Sequence, residues 1–183
     1  MRNKNADDRR REAMRDDVWP GAGNVIWDPY DEEKTVGFAT MPRLMPLIMV
    51  LVDELVGSGP IRIYWELWCR DRGQGIISII DEQEHAHASG YGGERGLRTW
   101  QAHMRKLAES GFIKIAPKGN REFAHVLLLN PLAVAHWHHT RKRTPPGWWE
   151  AFRDRAREIK AKIPPPLDPT APFPAPPDED EDD

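Results

Sequence analysis

The feature that most constrains the fold of this 183-residue chain is a basic amphipathic helix followed directly by a hairpin. Residues 95–110 place four large apolar side chains three or four positions apart, which predicts a helix with one buried face, and Gly111 is expected to end it. These side chains are Leu97, Trp100, Met104 and Leu107. Two strand-like runs, 112–115 and 122–129, follow around the turn 117–120. The order predicts a mixed α+β domain.

Two helices are expected earlier in the chain. Apolar residues recur at helical spacing over 42–56, and the glycines and proline of 57–60 are expected to end this helix. A second helix is predicted from Ile61 to about Arg70, with Cys69 as a small buried apolar residue. Its apolar face would consist of Ile61, Tyr64, Trp65 and Trp68.

A strand and a short helix are predicted between these helices and the basic helix. The β-branched run 76–80 is bounded by turn residues and predicts a strand. Residues 82–88 predict a helix that either Asp81 or Ser78 could cap. The glycine-rich segment 89–93 then provides a turn.

The order of helix, turn, basic helix and hairpin resembles the winged helix-turn-helix superfamily over about residues 41–131. The motifs that carry the resemblance are LAESGFI at 107–113, PKGNRE at 117–122 and VLLLNP at 126–131. The glycine-rich turn is longer than the link of about three or four residues that is usual in such a pair of helices. The resemblance implies that the second helix of the pair reads duplex DNA and that the hairpin contacts the DNA backbone.

The charge of the chain is unevenly distributed. The formal net charge is −3, but residues 164–183 hold seven acids and no lysine or arginine, which leaves +4 on residues 1–163. Between residues 94 and 163, fifteen lysines and arginines stand against six acids, a balance of +9. Such segregation indicates a polyanionic partner, of which nucleic acid is the leading candidate.

The outer face of the basic helix and the hairpin carry the donors that DNA recognition needs. The major groove, about 12 Å wide, admits one helix, and cations on the hairpin would contact phosphates. Arg98, Gln101 and Arg105 are expected to face the bases, and Lys118 and Arg121 the phosphates. The alternative is a solvated helix beside a charged turn. The full predicted DNA-binding set is Arg95, Arg98, Thr99, Gln101, Arg105, Lys106, Lys114, Lys118, Asn120 and Arg121.

Four regions are expected along the chain. Residues 1–17 mix six basic and five acidic side chains and predict a flexible or weakly helical leader. Residues 18–131 would form the winged-helix domain, beginning with an aromatic strap, and residues 132–163 a helical extension. Residues 164–183, with eight prolines and six terminal acids, predict a disordered tail. The strap aromatics are Trp19, Trp27, Tyr30 and Phe38.

The final predicted helix, residues 148–163, carries an apolar stripe at spacings of three and four. The stripe either forms a homodimer interface or docks on its own domain, since two heptads are too few for an independent coiled coil. Its members are Trp149, Phe152, Ala156, Ile159 and Ile163.

Most other classes of protein are disfavoured by the sequence. One cysteine cannot form an intramolecular disulfide or a multi-cysteine metal site, and it fits a reducing cytoplasm. His85 and His87, like the cluster at 136–139, are not expected to bind a metal, and the glycines of 90–96 lack a P-loop ending. Neither an enzyme mechanism, a cofactor, a signal peptide nor a membrane helix is expected.

The function expected from these features is sequence-selective duplex DNA binding by a transcriptional regulator. Two alternatives remain. One is a plasmid or phage replication-initiation protein, because winged helices serve both roles. The other is a protein-interaction adaptor that uses the same fold without DNA, although the charge balance favours DNA.

Overall fold

The computed structural model describes residues 6–22 and 39–172, and the chain divides into two compact units, Met1–Phe38 and Ala39–Asp183. In the first unit, the leader forms helix α1 (Ala6–Val18), whose charged surface includes an Arg15–Asp16 ion pair of 2.7 Å. Of the expected aromatic strap, Trp19 is 65% exposed. Its other members, Trp27, Tyr30 and Phe38, lie outside the described residues.

The second unit confirms the α+β class. Its elements are α2 (Met45–Val56), α3 (Ser58–Arg70), β1 (Ile76–Ser78), α4 (Glu82–Ala88), α5 (Gly93–Glu109), β2 (Ile113–Lys118), β3 (Arg121–Leu128), α6 (Pro131–Thr140) and α7 (Trp148–Glu158). Helix α3 begins three residues earlier than expected, because Pro60 is tolerated in a first turn, where no N–H partner is needed. Asp81, one of the two expected caps, accepts from the backbone N–H groups of Gln83 and Glu84.

The three strands form one antiparallel sheet in the order β1-β3-β2. Val126 in the central strand pairs with Ile77 on one side and Ile115 on the other. The hairpin ladder is irregular between Ala116 and Lys118. Pro117 lies at this irregularity, where its missing N–H costs no ladder bond.

One core joins the helices to the sheet. Trp100 from α5 is fully buried and meets Phe123 of β3 edge to face at 5.4 Å between ring centroids. Tyr64 from α3 meets Phe112 at 5.6 Å. Phe152 from α7 is also fully buried in the same cluster. The helices expected as an extension at 132–163 therefore share the core of the preceding domain.

Several apolar residues of the second unit lie at the surface rather than in the core. Trp65 is 47% exposed on α3, and Cys69, one turn further along, is exposed as well, which corrects its expected burial. The predicted strand 76–80 ends at Ser78, so Ile79 is buried but Ile80 is 84% exposed. The apolar face of α3 is consequently narrower than its sequence indicates.

The apolar stripe of the last helix docks on its own domain, the second of the two alternatives that the sequence leaves open. Phe152 and Ala156 are buried, and Trp149, Ile159 and Ile163 pack against the core. Trp149 also stacks on the rings of His139 and His136, with centroid distances of 4.1 and 5.0 Å. Helix α7 ends at Glu158, before Ile163, because Lys160 adopts a left-handed conformation with φ 55°.

The first part of the expected disordered tail also packs on the domain. The backbone N–H of Leu167 donates to the carbonyl of Ala133 at 3.1 Å. His136 Nδ1 donates to the carbonyl of Pro164 at 2.8 Å. We call residues 164–172 the docked segment. Its two hydrogen bonds to α6 correct the expectation that disorder begins at Pro164, and residues 173–183 lie outside the described residues.

Candidate nucleic-acid interface

Helix α5 has two chemically distinct faces. Trp100, Met104 and Leu107 are completely buried, and Leu97 is half-buried beside them, as the sequence pattern predicts. The outer face carries most of the predicted DNA-binding helix residues in exposed positions: Arg95, Arg98, Thr99, Arg105 and Lys106. The buried face fixes the rotation of α5, and thus the direction of these side chains.

The first turn of α5 lies unusually close to the preceding turn. A Cβ atom on Gly96 would stand 2.7 Å from the carbonyl carbon of Tyr91, so no larger residue fits without a shift of backbone. Tyr91 is held in place because its hydroxyl donates to the Gly59 carbonyl at 2.8 Å, and its N–H donates to the Ala86 carbonyl at 2.7 Å. The start of the candidate recognition helix is therefore positioned by backbone contact.

A histidine of α5 makes a further contact with Tyr91. His103 Nδ1 lies 3.0 Å from the Tyr91 hydroxyl, and since that hydroxyl donates to Gly59, the ring nitrogen is assigned as the N–H donor. Partial burial lowers the pKa of His103, and the nearby Lys106 and Arg62 lower it further. His103 thus helps to hold α5 against Tyr91 and the first turn of α3, on the side of α5 that faces away from the outer face.

Two of the three residues expected to face bases are already bound to acids. Arg105 forms a bidentate pair with Glu122 of β3, with N–O distances of 2.8 and 2.6 Å. This hydrogen bonding raises the pKa of Arg105 and lowers the pKa of Glu122. Gln101 donates to Glu82 of α4 at 2.8 Å and is half-buried. Both side chains tie α5 to its neighbours.

The third residue, Arg98, differs from these two. Within residues 6–22 and 39–172, Arg95, Arg98 and Lys106 form no ion pair, and all three are exposed. Thr99 uses its hydroxyl to donate to the Arg95 carbonyl at 3.0 Å. The cations of α5 that a polyanion could contact without displacing an acid are therefore Arg95, Arg98 and Lys106.

The hairpin carries the remaining predicted residues. Lys118 and Asn120 are exposed at its tip, on either side of Gly119, whose φ of 58° a larger side chain would adopt only with strain. Arg121 is exposed but donates to the Ile79 carbonyl at 3.1 Å, which ties β3 to the end of β1. Lys114 is half-buried at the base of the hairpin and donates to the Ala171 carbonyl at 3.4 Å.

A charged network holds α4, the first helix of the candidate pair, against α3. Glu66 is buried on α3 and accepts from Arg70, and it also lies 3.2 Å from His85 Nδ1 on α4. Arg70 also pairs with Glu84 at 3.0 Å. The network connects both helices through groups of opposite charge, so α4 presents a fixed surface to the turn and to α5.

The partners of Arg105 and Gln101 were not anticipated from the sequence. Glu122 directly follows the basic turn residues at the start of β3, and nothing in its spacing to Arg105 indicates an ion pair. The contacts of His138, one of the histidines not expected to bind a metal, cannot be read from its spacing either. This histidine is buried on α6, stacks on Phe112 at 5.8 Å and donates from Nε2 to the Ser110 carbonyl at 2.8 Å. Burial lowers its pKa.

The described residues offer neither a metal site nor a membrane span. Among residues 6–22 and 39–172, no three His, Cys, Asp or Glu side chains are grouped so that they could hold a metal ion. None of the helices in this part of the chain combines the length and apolarity that crossing a bilayer requires. The chain matches no family model, no curated protein and no solved structure.

Proposed function

We propose that this protein binds duplex DNA sequence-selectively, with α5 in the major groove and the β2–β3 hairpin on the backbone, and that it acts as a transcriptional regulator. The observation that carries the proposal is the division of α5 into a buried apolar face and an outer face with unpaired cations. Trp100 fixes the first face, and Arg95, Arg98 and Lys106 form the second.

The arrangement of the elements supports a winged-helix architecture. Helix α4, the turn and α5 follow each other and pack together, and the hairpin of β2 and β3 follows at once. The additional strand β1 pairs with β3, so the hairpin is anchored at its base to the rest of the domain. This is the order that the sequence resemblance implies.

The two parts of the surface are assigned different roles. Arginine can bind guanine in a bidentate manner, and base-edge contacts of this kind distinguish one sequence from another. Arg98 supplies this contact in the proposal, since it is exposed and unpaired in the second turn of α5, on its outer face. Lys118 at the hairpin tip supplies a phosphate contact, which orients the protein but carries no sequence information.

The proposal is tested by substituting Arg98. A preferred duplex is first selected from random sequences with the parent protein, and binding is then measured by fluorescence anisotropy. R98A should lose about 1–3 kcal/mol of specific binding and discriminate less between bases at one position. R153A is the matched control, because Arg153 is also an exposed arginine and lies on α7. Equal affinity and equal sequence preference for R98A and the parent would refute the role of α5.

The hairpin is tested separately with K118A. This variant should bind all duplexes more weakly, and the slope of log affinity against log salt should fall by about 0.9, as expected for one lost phosphate contact. A slope equal to that of the parent protein would show that the hairpin tip does not contact DNA.

The biological role is tested by sequencing the DNA that co-precipitates with the protein from its host. Recovery of promoter fragments supports a regulator. Recovery of repeated sites at a replication origin would instead make the protein a replication initiator, and recovery of no specific DNA would favour the adaptor.

A further inference from the structure

We propose that the acidic end of this chain, residues 178–183, binds the basic surface of the β2–β3 hairpin and competes there with DNA. The competition with DNA depends on the proposed function. The binding of the acidic end to the hairpin does not. The basic surface is defined as Lys114, Lys118 and Arg121.

The docked segment leads the chain to this surface. After its bonds to α6, the segment meets the region between α5 and β2. There, the Pro169 ring occupies the space beside Gly111, so that a Cβ atom on Gly111 would lie 2.3 Å from Pro169 Cγ. Two residues later the carbonyl of Ala171 accepts from Lys114 Nζ. The described chain therefore ends beside the first lysine of the hairpin.

The course of the segment is fixed by polar contacts as well. Asp168 forms an ion pair with Arg141 at 3.5 Å. Its Oδ1 also accepts from the N–H and the hydroxyl of Thr170, at 2.8 and 2.6 Å, which closes a local turn. Hydrogen bonding by Thr170 lowers the pKa of Asp168. An acid of the tail already pairs with a cation of the domain in this way.

The length of the remaining chain is sufficient for the acids to reach the hairpin tip. Asp178 is seven residues beyond Ala171, and seven residues span at most about 25 Å at roughly 3.6 Å each. Lys118 is four strand residues beyond Lys114, a distance of about 13 Å at roughly 3.3 Å per residue. Six consecutive acids can thus pass along the lysines of β2.

The interaction is expected to be weak in absolute terms but effective because it is intramolecular. A short tether gives a local concentration in the millimolar range. If the acids bind the hairpin with a dissociation constant of about 0.3 mM, a local concentration of about 1 mM would reduce the apparent affinity for competing DNA roughly fourfold. Salt screens such exposed charges, so the reduction should disappear at high ionic strength.

The test compares the parent with a full-length variant in which the six terminal acids are replaced by Asn and Gln. The matched control replaces the five leader acids instead, which removes nearly the same charge from the other end of the chain. Backbone ¹H–¹⁵N spectra are recorded without DNA at low salt. The tail variant should show shift changes concentrated at residues 114–121, and the control should show none there. Unchanged shifts at 114–121 in the tail variant would overturn the proposal.

Binding to a random-sequence duplex provides the second readout. The tail variant should bind about threefold to fivefold more tightly than the parent at low salt, and the two affinities should converge as salt rises. Equal affinity at low salt, with measurable DNA binding, would overturn the competition. If neither protein binds DNA while the shifts at 114–121 change, the proposed function fails and the tail contact stands.

Discussion

Replacing Gly96 with alanine tests whether the first turn of α5 is positioned by backbone contact. In an ordinary helix interior, alanine is more favourable than glycine by about 1 kcal/mol. Here the new Cβ would lie 2.7 Å from the carbonyl carbon of Tyr91 and 3.0 Å from its oxygen. Two hydrogen bonds of Tyr91, to Gly59 and Ala86, resist any movement of that residue.

The steric cost is expected to exceed the gain in helix propensity. Overpacking a fixed site costs about 1–3 kcal/mol, so G96A should lose about 1 kcal/mol of unfolding free energy overall. With a urea m-value of about 2 kcal/mol/M, the midpoint would fall by about 0.5 M. Urea unfolding monitored by tryptophan fluorescence measures this shift.

A second variant calibrates helix propensity in the same element. Ala102 is exposed on the outer face of α5, and A102G should lose about 1 kcal/mol through propensity alone. If Gly96 were free of its neighbours, G96A would gain what A102G loses. A G96A protein as stable as the parent, or more stable, would refute the close contact between α5 and the turn.

Two further predictions concern charge. E122Q should change stability by less than about 1 kcal/mol, since exposed ion pairs contribute little. By releasing Arg105, it should also raise DNA affinity and steepen the salt slope by about 0.9, whereas E150Q on α7 should change neither. Because the pKa of His138 is lower in the folded protein, the unfolded chain binds a proton at this position more readily. The free energy of unfolding should therefore be at its full value above about pH 7.5. It should decline as the pH falls through about 6.5, the ordinary pKa of histidine. H138Q should flatten this decline in unfolding measured from pH 8 to 5, and an unchanged pH profile would contradict the assignment.

The regular elements of the second unit could be predicted because their signals are local. The spacing of Trp100, Met104 and Leu107 is set by the period of one helix, and Gly111 ends that helix with a φ of 82°. The hairpin follows from its turn residues. Such features depend on neighbours a few positions apart, which the sequence displays directly.

The partners of the surface residues could not be predicted, because they are brought together by the fold. Arg105 and Glu122 are seventeen positions apart, and Gln101 and Glu82 are nineteen apart. Their pairing depends on the angle at which α5 crosses the hairpin and α4. The helical period placed Arg98, Gln101 and Arg105 on the outward side of one helix, but only the tertiary arrangement separates the unpaired arginine from the two paired residues.

The contacts of the docked segment could not be predicted for a different reason. Proline content and low hydrophobicity indicate disorder because a segment of this kind buries little apolar surface. The docked segment instead uses backbone hydrogen bonds to Ala133 and His136 and fills the space beside Gly111. Contacts of this type have no periodicity in the sequence, so composition alone predicts a disordered segment rather than a docked one.

The prolines, which by composition indicate disorder, also explain how the docked segment stays bound to the domain through few contacts. Five of the nine residues from 164 to 172 are proline, whose ring fixes φ near −65° before any contact forms. Ordering a free residue costs about 1–2 kcal/mol of backbone entropy, and a chain that is already stiff loses less of it on docking. A few hydrogen bonds can therefore offset the entropy that remains. Replacing Pro165 and Pro166 with glycine would loosen the segment without removing either of its hydrogen bonds to α6.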